Sequence, residues 1–233
     1  MRLILIRHGE PDYKKDCLTE RGIEQAEGAA KRLLKEGISA IYSSPMGRAK
    51  ETAAFTAKAL DMKVSVLDFM HEIDWGDTED DHEDKLEYDG HPWTLGFKLL
   101  TENTEYVGST DWYKHHYFRD NKCLSYYRMV SQRVDEFLSS FGLIREEGLY
   151  YCERNCDDTV ALFAHGGSGA VLISHILDLP FPFVLTTMPF GLCSVSVIEF
   201  IQRKGELTIP ILSLFNDMAH VKGAKREPLE FEK

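Results

Sequence analysis

The sequence predicts an α/β protein, a three-layer α/β/α sandwich around a mostly parallel sheet. Short apolar runs of strand length alternate with longer segments at helical spacing. This β-α-β-α-β rhythm indicates parallel strands joined by right-handed helical crossovers. The chain has 233 residues, of which 43% are hydrophobic and 28% charged. That composition is typical of a globular protein able to bury a full core, so we expect a single domain over residues 1–233.

The first strand and helix can be placed from apolar runs and capping signals. Residues 1–6 form an apolar run of strand length. A helix is predicted from Leu18 to about Glu36, with Thr19 as its cap and Gly37 as its end. The chain thus begins with a strand followed by a helix.

The next strand, helix and strand complete the β-α-β-α-β pattern. Residues 38–42 read as a short strand, and the following helix runs from Met46 to about Leu60 with Pro45 in its first turn. Residues 64–67 are the third strand. The three strands are therefore expected to pair in parallel.

Between about residues 77 and 121 the sequence predicts a helical or irregular insertion near the functional site. This segment shows no clean strand period. A solvated helical face with a few core aromatics explains most of its individual residues equally well. The acidic residues in and beside it are Asp74, Asp77, Glu79, Asp80, Asp81, Glu83, Asp84, Glu87 and Asp89, and the aromatic ones are Trp93, Trp112, Tyr113, Tyr117 and Phe118.

The second half of the chain returns to the main fold. Apolar residues at helical spacing predict a helix over 124–141, and the polar segment 147–158 is compatible with a small hairpin. Further strands are predicted at 159–164, 193–200 and 207–215, with a helix over 168–177. Residues 222–233 form a charged tail.

Charge, hydropathy and cysteine content limit the partners and the compartment. The net charge of -11 argues against nucleic acid and anionic membranes, because it offers no general neutralisation of phosphate backbones. No apolar run approaches the length of a membrane span, and the amino terminus is too short for a signal peptide. The five cysteines are scattered and odd in number, so reduced thiols in the cytoplasm are expected. The oligomeric state stays open, with a dimer as one candidate.

Basic residues follow two of the long apolar strands. Arg7 and His8 follow the first strand, and His165 and Gly166 follow the strand at 159–164. Carboxyl ends of parallel strands meet at one edge of a sheet, so His8 and His165 are expected to face each other. With Arg48 at the start of the second helix, these side chains offer the fixed donors that a phosphate dianion needs. The sequence therefore predicts a phosphate pocket.

These residues lie in a set of motifs that resembles the histidine phosphatase superfamily, also called the phosphoglycerate mutase-like superfamily, and within it the phosphatase branch. The motifs are Arg7-His8-Gly9-Glu10; Leu18-Thr19 with Gly22 and Gln25-Ala26; Tyr42-Ser43-Ser44-Pro45 with Arg48-Ala49 and Glu51-Thr52; Glu72 with Trp75-Gly76; and His165-Gly166-Gly167. A weaker sixth motif covers residues 215–220. The resemblance spans most of the chain and implies a phosphoglycerate mutase-like fold.

The resemblance implies that His8 is the nucleophile and becomes a phosphohistidine. Arg7, Arg48, His165 and Gly166 would bind the phosphoryl group, and His165 would also take part in catalysis. His8 must be neutral to attack, which nearby arginines favour. Its second ring nitrogen would contact the carbonyl oxygen of the following glycine, as in the family.

Glu72 fits the remaining role implied by the resemblance, the general acid for the leaving alkoxide and then the general base for water. Its competitors are Asp74, Glu79 and Glu51. The chemistry requires no cofactor and no metal. The histidines of the insertion, His82, His91, His115 and His116, are too irregularly spaced to indicate a metal site and are interpreted as surface residues.

Departures from the family pattern favour hydrolysis over mutase chemistry. Lys14 stands where the mutases place an asparagine, and the insertion has no arginine pair. Glu10, Lys14 and Ser168 are candidate substrate contacts, although Glu10 could instead orient loops and Ser168 could cap a helix. The predicted function is hydrolysis of a small phosphorylated metabolite. A phosphoglycerate mutase-type enzyme and a non-catalytic phosphate-binding regulatory protein remain alternatives.

Overall fold

The computed structural model describes residues 1–78 and 85–223. The acidic residues at 79–84, the predicted surface residue His82 and the tail from 224 onward lie outside the described residues. The described chain forms two compact units. The first unit contains Met1–Glu72, Asp135–Gly169 and residues 190–223, and the second contains Ile73–Val134, without 79–84, and Ala170–Pro189.

The described residues contain eleven strands and seven α-helices, along with short 3₁₀ turns. The strands are β1 (Arg2–Arg7), β2 (Pro11–Asp12), β3 (Cys17–Leu18), β4 (Ala40–Ser43), β5 (Val64–Val66), β6 (Leu143–Glu146), β7 (Leu149–Cys152), β8 (Thr159–Ala164), β9 (Val195–Glu199), β10 (Leu207–Thr208) and β11 (Ile211–Asp217). The helices are α1 (Glu20–Leu33), α2 (Gly47–Leu60), α3 (Pro92–Glu102), α4 (His116–Arg119), α5 (Lys122–Ser139), α6 (Gly166–Leu177) and α7 (Phe181–Thr187).

The central sheet lies within the first unit and has the strand order β11-β9-β1-β8-β4-β5. Strands β1, β8, β4 and β5 pair in parallel, whereas β9 runs antiparallel to both β1 and β11. The predicted α/β fold with a mostly parallel sheet is confirmed. Because β1 and β8 lie in the middle of this sheet, they must be apolar on both faces. All six residues of β8 are buried, as are residues 3–6 of β1.

Helix α1 begins at Glu20, two residues after the predicted start at Leu18, which lies in β3. The Thr19 side chain accepts a hydrogen bond from the Gly22 amide and caps the helix as predicted. Gly22 also allows a close approach, because a Cβ atom at this position would lie 2.2 Å from the Glu10 carbonyl oxygen. This approach seats the loop after β1 directly on the start of α1. The helix ends at Leu33, slightly before the predicted Gly37 boundary.

Two boundaries were predicted wrongly, both beside a proline. Pro45 precedes the N-cap residue Met46 and therefore stands outside the first turn of α2. The single strand predicted at 207–215 is two strands, β10 and β11. Pro210 stands between them and has no N–H to donate to a ladder. Strand β10 instead pairs with β7 of the β6–β7 hairpin. This hairpin, over residues 143–152, begins before the polar segment 147–158 in which the sequence allows a small hairpin.

The second unit is helical, in agreement with the missing strand period of the insertion. Its α3 and α7 pack closely at Gly96, where a Cβ atom would lie 3.2 Å from Thr186 Cγ2. Several predicted aromatics form a core here, with Trp112 packed edge-on against Phe118 at 5.3 Å between ring centroids. None of the described helices combines the length and apolar character needed to cross a membrane.

Candidate active site

The site lies at the carboxyl ends of β1 and β8. These strands pair in register, Arg7 opposite Ala164, so the next residues, His8 and His165, are neighbours. The His8 backbone N–H donates to the Ala164 carbonyl oxygen at 3.0 Å, which extends the ladder by one step. The two imidazole rings are 5.0 Å apart between centroids at an angle of 61°. The predicted facing of the two histidines is confirmed.

His8 is held with one ring nitrogen fixed and the other directed at a guanidinium. Its Nδ1 lies 2.7 Å from the Gly9 carbonyl oxygen, the contact expected from the sequence. Since a carbonyl only accepts, Nδ1 carries the proton and Nε2 keeps its lone pair. Arg48 Nε donates to this Nε2 at 3.3 Å. His8 is thus a neutral imidazole whose unprotonated Nε2 accepts a hydrogen bond from Arg48.

Burial is the main cause of the low pKa of His8. The residue is 1% exposed, and this desolvation, reinforced by Arg7 and Arg48 and opposed by Gly9 and Asp16, lowers its pKa from 6.5 to about 3. The sequence predicts the neutral state of His8 from the nearby arginines. Their charges add to the effect, but the larger contribution comes from removing the imidazolium from water.

Asp16 orients Arg48, and the sequence analysis did not identify it. Its Oδ1 accepts from Arg48 Nη1 at 2.6 Å, and its Oδ2 accepts from the Gly47 N–H at 2.6 Å. Glycine is required at 47, because a Cβ atom there would lie 2.0 Å from the Asp16 carbonyl oxygen. Partial burial opposes ionisation, but these bonds outweigh it and hold the pKa of the Asp16 carboxyl below its usual value. No motif in the sequence marked this contact.

Arg7 supplies a second guanidinium beside the histidines. Its Nη1 donates to the Phe190 carbonyl oxygen, which fixes the side chain. Its Nε is buried and has no hydrogen-bond partner among the described residues. The predicted phosphate-binding Gly166 adjoins this group, since a Cβ atom on Gly166 would lie 3.7 Å from Arg7 Nε. The backbone of α6 therefore begins next to an unsatisfied cationic donor.

His165 is oriented by Ser44, a residue that the sequence placed in a motif without a role. Ser44 Oγ lies 2.7 Å from His165 Nε2 and accepts from the Met46 N–H at 3.2 Å. His165 Nδ1 is buried without a partner among the described residues. Burial, followed by the charges of His8 and the two arginines, lowers the pKa of His165 to about 2. Both histidines are thus neutral at physiological pH.

Glu72 reaches the same place from the segment after β5. Its Oε1 accepts from the Gly167 N–H at 3.0 Å. One polar atom from each of His8, Glu72 and His165 lies within 4.8 Å of the others. A carboxyl group and two imidazoles thus surround one small volume. Among the described residues, this trio is also the one cluster of three or more potential metal ligands.

The competitors for the acid role are placed differently. Glu51 Oε2 accepts from the Leu18 N–H at 2.7 Å, which fixes the loop before α1. Asp74 belongs to the second unit, and Glu79 lies outside the described residues. Of the four carboxylates, Glu72 is the one shown beside both histidines.

The three candidate substrate contacts have local partners. Glu10 Oε1 accepts from the Thr19 hydroxyl at 2.8 Å. Ser168 is fully buried, and its Oγ accepts from the His165 N–H at 3.2 Å, a capping contact at the start of α6. Lys14 is exposed, and its backbone N–H donates to Asp12. Glu10 and Ser168 therefore hold backbone near the site, and roles in substrate binding remain predictions for all three.

The described insertion histidines make contacts of their own. His91 Nδ1 lies 2.9 Å from Thr94 Oγ1, and its ring stacks on Trp93 at 5.4 Å between centroids. His115 Nδ1 accepts from the Tyr117 N–H at 3.3 Å. These histidines take part in packing and capping within the second unit.

Comparison with known proteins identifies the family. The model of the histidine phosphatase superfamily (branch 1) matches residues 3–209. The chain belongs to the histidine phosphatase superfamily. The match covers both histidine strands and the segment with Glu72, so the family membership expected from the motifs is confirmed.

Histidine phosphatases resembling this chain differ in their activities. A probable phosphoglycerate mutase, GpmB, of Salmonella paratyphi A is 23% identical over 239 residues and covers 99% of each chain. The phosphoserine phosphatase of Entamoeba histolytica matches with a TM-score of 0.59 at 23% identity, covering 94% of this chain and 98% of that one. A mycobacterial glucosyl-3-phosphoglycerate phosphatase with inorganic phosphate gives 0.62 at 22% identity, with coverages of 94% and 99%. These structural likenesses establish the histidine phosphatase fold.

Proposed function

We propose that the protein hydrolyses phosphomonoesters of small metabolites through a phosphohistidine formed on His8. The observation that carries this proposal is the state of His8 Nε2. This nitrogen is unprotonated, because Nδ1 is held at Gly9 and the pKa of the ring is lowered to about 3. It lies 3.3 Å from the Arg48 guanidinium. A neutral nucleophile beside fixed positive charge is what attack on a phosphate dianion requires.

Two buried donors without partners support a phosphoryl site. Arg7 Nε is unsatisfied among the described residues, and so is His165 Nδ1. Since Ser44 Oγ already accepts from Met46, its hydroxyl proton is available to His165 Nε2. In that tautomer Nδ1 carries a proton and needs an acceptor. The oxygens of a phosphoryl group would accept hydrogen bonds from both Arg7 Nε and His165 Nδ1. Proteins rarely bury polar atoms without partners, so a bound phosphoryl group would account for these two.

The proposed reaction has two in-line transfers. His8 Nε2 forms a bond to phosphorus while the ester P–O bond breaks, and Arg7 and Arg48 neutralise charge on the equatorial oxygens. Glu72 gives its proton to the departing alkoxide. It then removes a proton from water, whose oxygen attacks the phosphohistidine and releases inorganic phosphate with neutral His8. Glu72 ends the cycle protonated, and no redox partner or metal is needed.

Relatives and cysteines guide the choice of substrate and compartment. Phosphoserine, glucosyl-3-phosphoglycerate and α-ribazole phosphatases are named among the structural relatives. This range supports a small phosphorylated metabolite as the substrate but does not identify its alcohol.

The cysteines guide the choice of compartment. All five cysteines are free thiols. We therefore place the reaction in the cytoplasm, where thiols stay reduced.

Phosphate release and alkaline trapping of the phosphorylated protein test the proposal. Wild type should release phosphate from part of a broad phosphomonoester panel, and protein quenched in alkali during turnover should carry an acid-labile phosphate. His8→Asn should lose both. Equal, background-level release by wild type and variant would instead favour the non-catalytic phosphate-binding alternative. A label that survives in the variant would point to another nucleophile.

Mutase chemistry is the second candidate, supported by full-length similarity to a probable phosphoglycerate mutase. A mutase must retain its phosphoglycerate while the phosphoryl group returns to a different oxygen. Lys14 is exposed where the family's mutases place an asparagine. We therefore expect phosphate release from phosphoglycerate to exceed isomerisation. Isomerisation that outruns release would reverse this assignment.

A further inference from the structure

We propose that Tyr13 is a specificity-determining residue that binds the alcohol part of the substrate. Tyr13 lies in the four-residue loop between β2 and β3, and its side chain is 69% exposed. It is more exposed than any other large apolar side chain among the described residues. This inference rests on the proposed function, because it assigns a partner to the leaving group of the same reaction.

Tyr13 lies directly beside the phosphate-binding apparatus. The Arg48 guanidinium carbon is 5.5 Å from the centre of the Tyr13 ring, and the same guanidinium donates to His8 Nε2 at 3.3 Å. The ring is therefore within roughly 10 Å of the nucleophilic nitrogen, allowing for one covalent bond in between. A phosphoryl group and a short alcohol can span that distance.

The loop that carries Tyr13 is fixed at both ends. At one end Asp12 Oδ1 accepts from the backbone N–H groups of Lys14 and Lys15, which is an Asx turn. At the other end the Asp16 carboxylate accepts from Arg48 Nη1 and from the Gly47 N–H. The backbone that carries the ring is thus held in place before a substrate arrives, so little backbone entropy is lost on binding.

An exposed aromatic ring on a fixed loop favours one substrate class. One part of the ring contacts a cation, and most of its surface remains in water. A leaving group with a flat apolar face, such as an aromatic or sugar ring, would remove this surface from water and stack on it. We infer that the preferred substrates are monoesters of ring-bearing alcohols rather than of short aliphatic ones.

Binding of two phosphonates, which cannot be hydrolysed, tests this inference apart from turnover. Phenylphosphonate carries a ring and methylphosphonate does not, and isothermal titration measures both dissociation constants. Wild type should prefer phenylphosphonate, and Tyr13→Ala should reduce that preference about 3- to 10-fold, the size of an aromatic pair. Tyr13→Phe should keep the preference. Tyr151→Ala, which removes an exposed tyrosine on β7, should keep it too.

The outcomes separate this inference from the proposed function. Suppose that wild type binds methylphosphonate and prefers phenylphosphonate, and that Tyr13→Ala leaves this preference unchanged. This result would overturn the role of Tyr13 but not the phosphate site. Wild type that binds both phosphonates equally would do the same. Failure of wild type to bind either compound would overturn the phosphate site and, with it, the assignment of Tyr13.

Discussion

Replacing His8 by asparagine should make the protein more tolerant of mild acid. In the folded state burial, Arg7 and Arg48 lower the pKa of His8 from 6.5 to about 3. In the unfolded state the imidazole is in water and titrates near its ordinary value. At pH values between these two pKa values, His8 binds a proton in the unfolded chain but not in the folded chain. Stability is therefore unaffected by His8 well above pH 6.5 and falls as pH drops from 6.5 toward 3.

The magnitude follows from the two pKa values. One unit corresponds to about 1.4 kcal/mol, so at pH 5, about 1.5 units below the ordinary value, His8 costs about 2 kcal/mol of unfolding free energy. Asparagine does not titrate and removes this loss.

Urea unfolding at pH 7 and pH 5 measures the effect. The buffers must be free of phosphate and sulfate, because an anion bound in the pocket would stabilise the folded state. The loss of unfolding free energy between the two pH values should be about 2 kcal/mol smaller in His8→Asn than in wild type. Replacing the exposed Thr101, which does not titrate, by asparagine is the control and should leave the loss as in wild type. Equal losses in wild type and His8→Asn would refute the assignment of a buried neutral His8.

Three further predictions concern the other site residues. Ser44→Ala loses one hydrogen bond to His165, so it should lower kcat/KM about 5-fold and change the acid limb of the pH profile of kcat/KM. Ser44→Thr keeps the hydroxyl group and should retain both the wild-type kcat/KM and the wild-type acid limb. Asp16→Asn weakens the contact that orients Arg48 and should raise the inhibition constant of inorganic phosphate. The increase should be only about 3- to 10-fold, because the Asp16 side chain is 39% exposed and water partly screens its bond to Arg48. An unchanged inhibition constant would exclude a positioning role for Asp16. Glu72→Gln should slow alkyl esters about 100-fold or more and aryl phosphates much less, as measured by kcat on both, and equal losses would contradict a proton-donor role.

The frame of the site, that is, strands β1 and β8 with His8 and His165 at their carboxyl ends, was predictable because it depends on local sequence. A parallel strand that is buried on both faces has a continuous apolar run, as at residues 3–6 of β1 and 160–164 of β8. The residues that follow each run can then be found by counting. That is why His8 and His165 could be paired before their distance was known. Thr19 could be assigned as a cap for the same local reason.

The residues that orient this frame were not predictable, because their contacts depend on tertiary approach. Asp16 meets Gly47 across 31 positions of sequence, and Ser44 meets His165 across 121. Asp16 resembles any loop aspartate until the glycine at 47 lets the two backbones touch. Strand β10 was missed for a related reason, since its partner is a hairpin far away in sequence.

The arrangement links the proposed chemistry to a cost in stability. The two arginines supply positive charge that does not depend on pH, because guanidinium groups stay protonated in proteins. Burial beside them keeps His8 and His165 neutral, so phosphate can be held by the arginines while the histidine nitrogen stays nucleophilic. The same burial makes the folded state refuse two protons that the unfolded state accepts in mild acid. A substitution at His8 should therefore improve stability at pH 5 and abolish turnover together, the opposing effects expected where a site residue is selected for reactivity rather than stability.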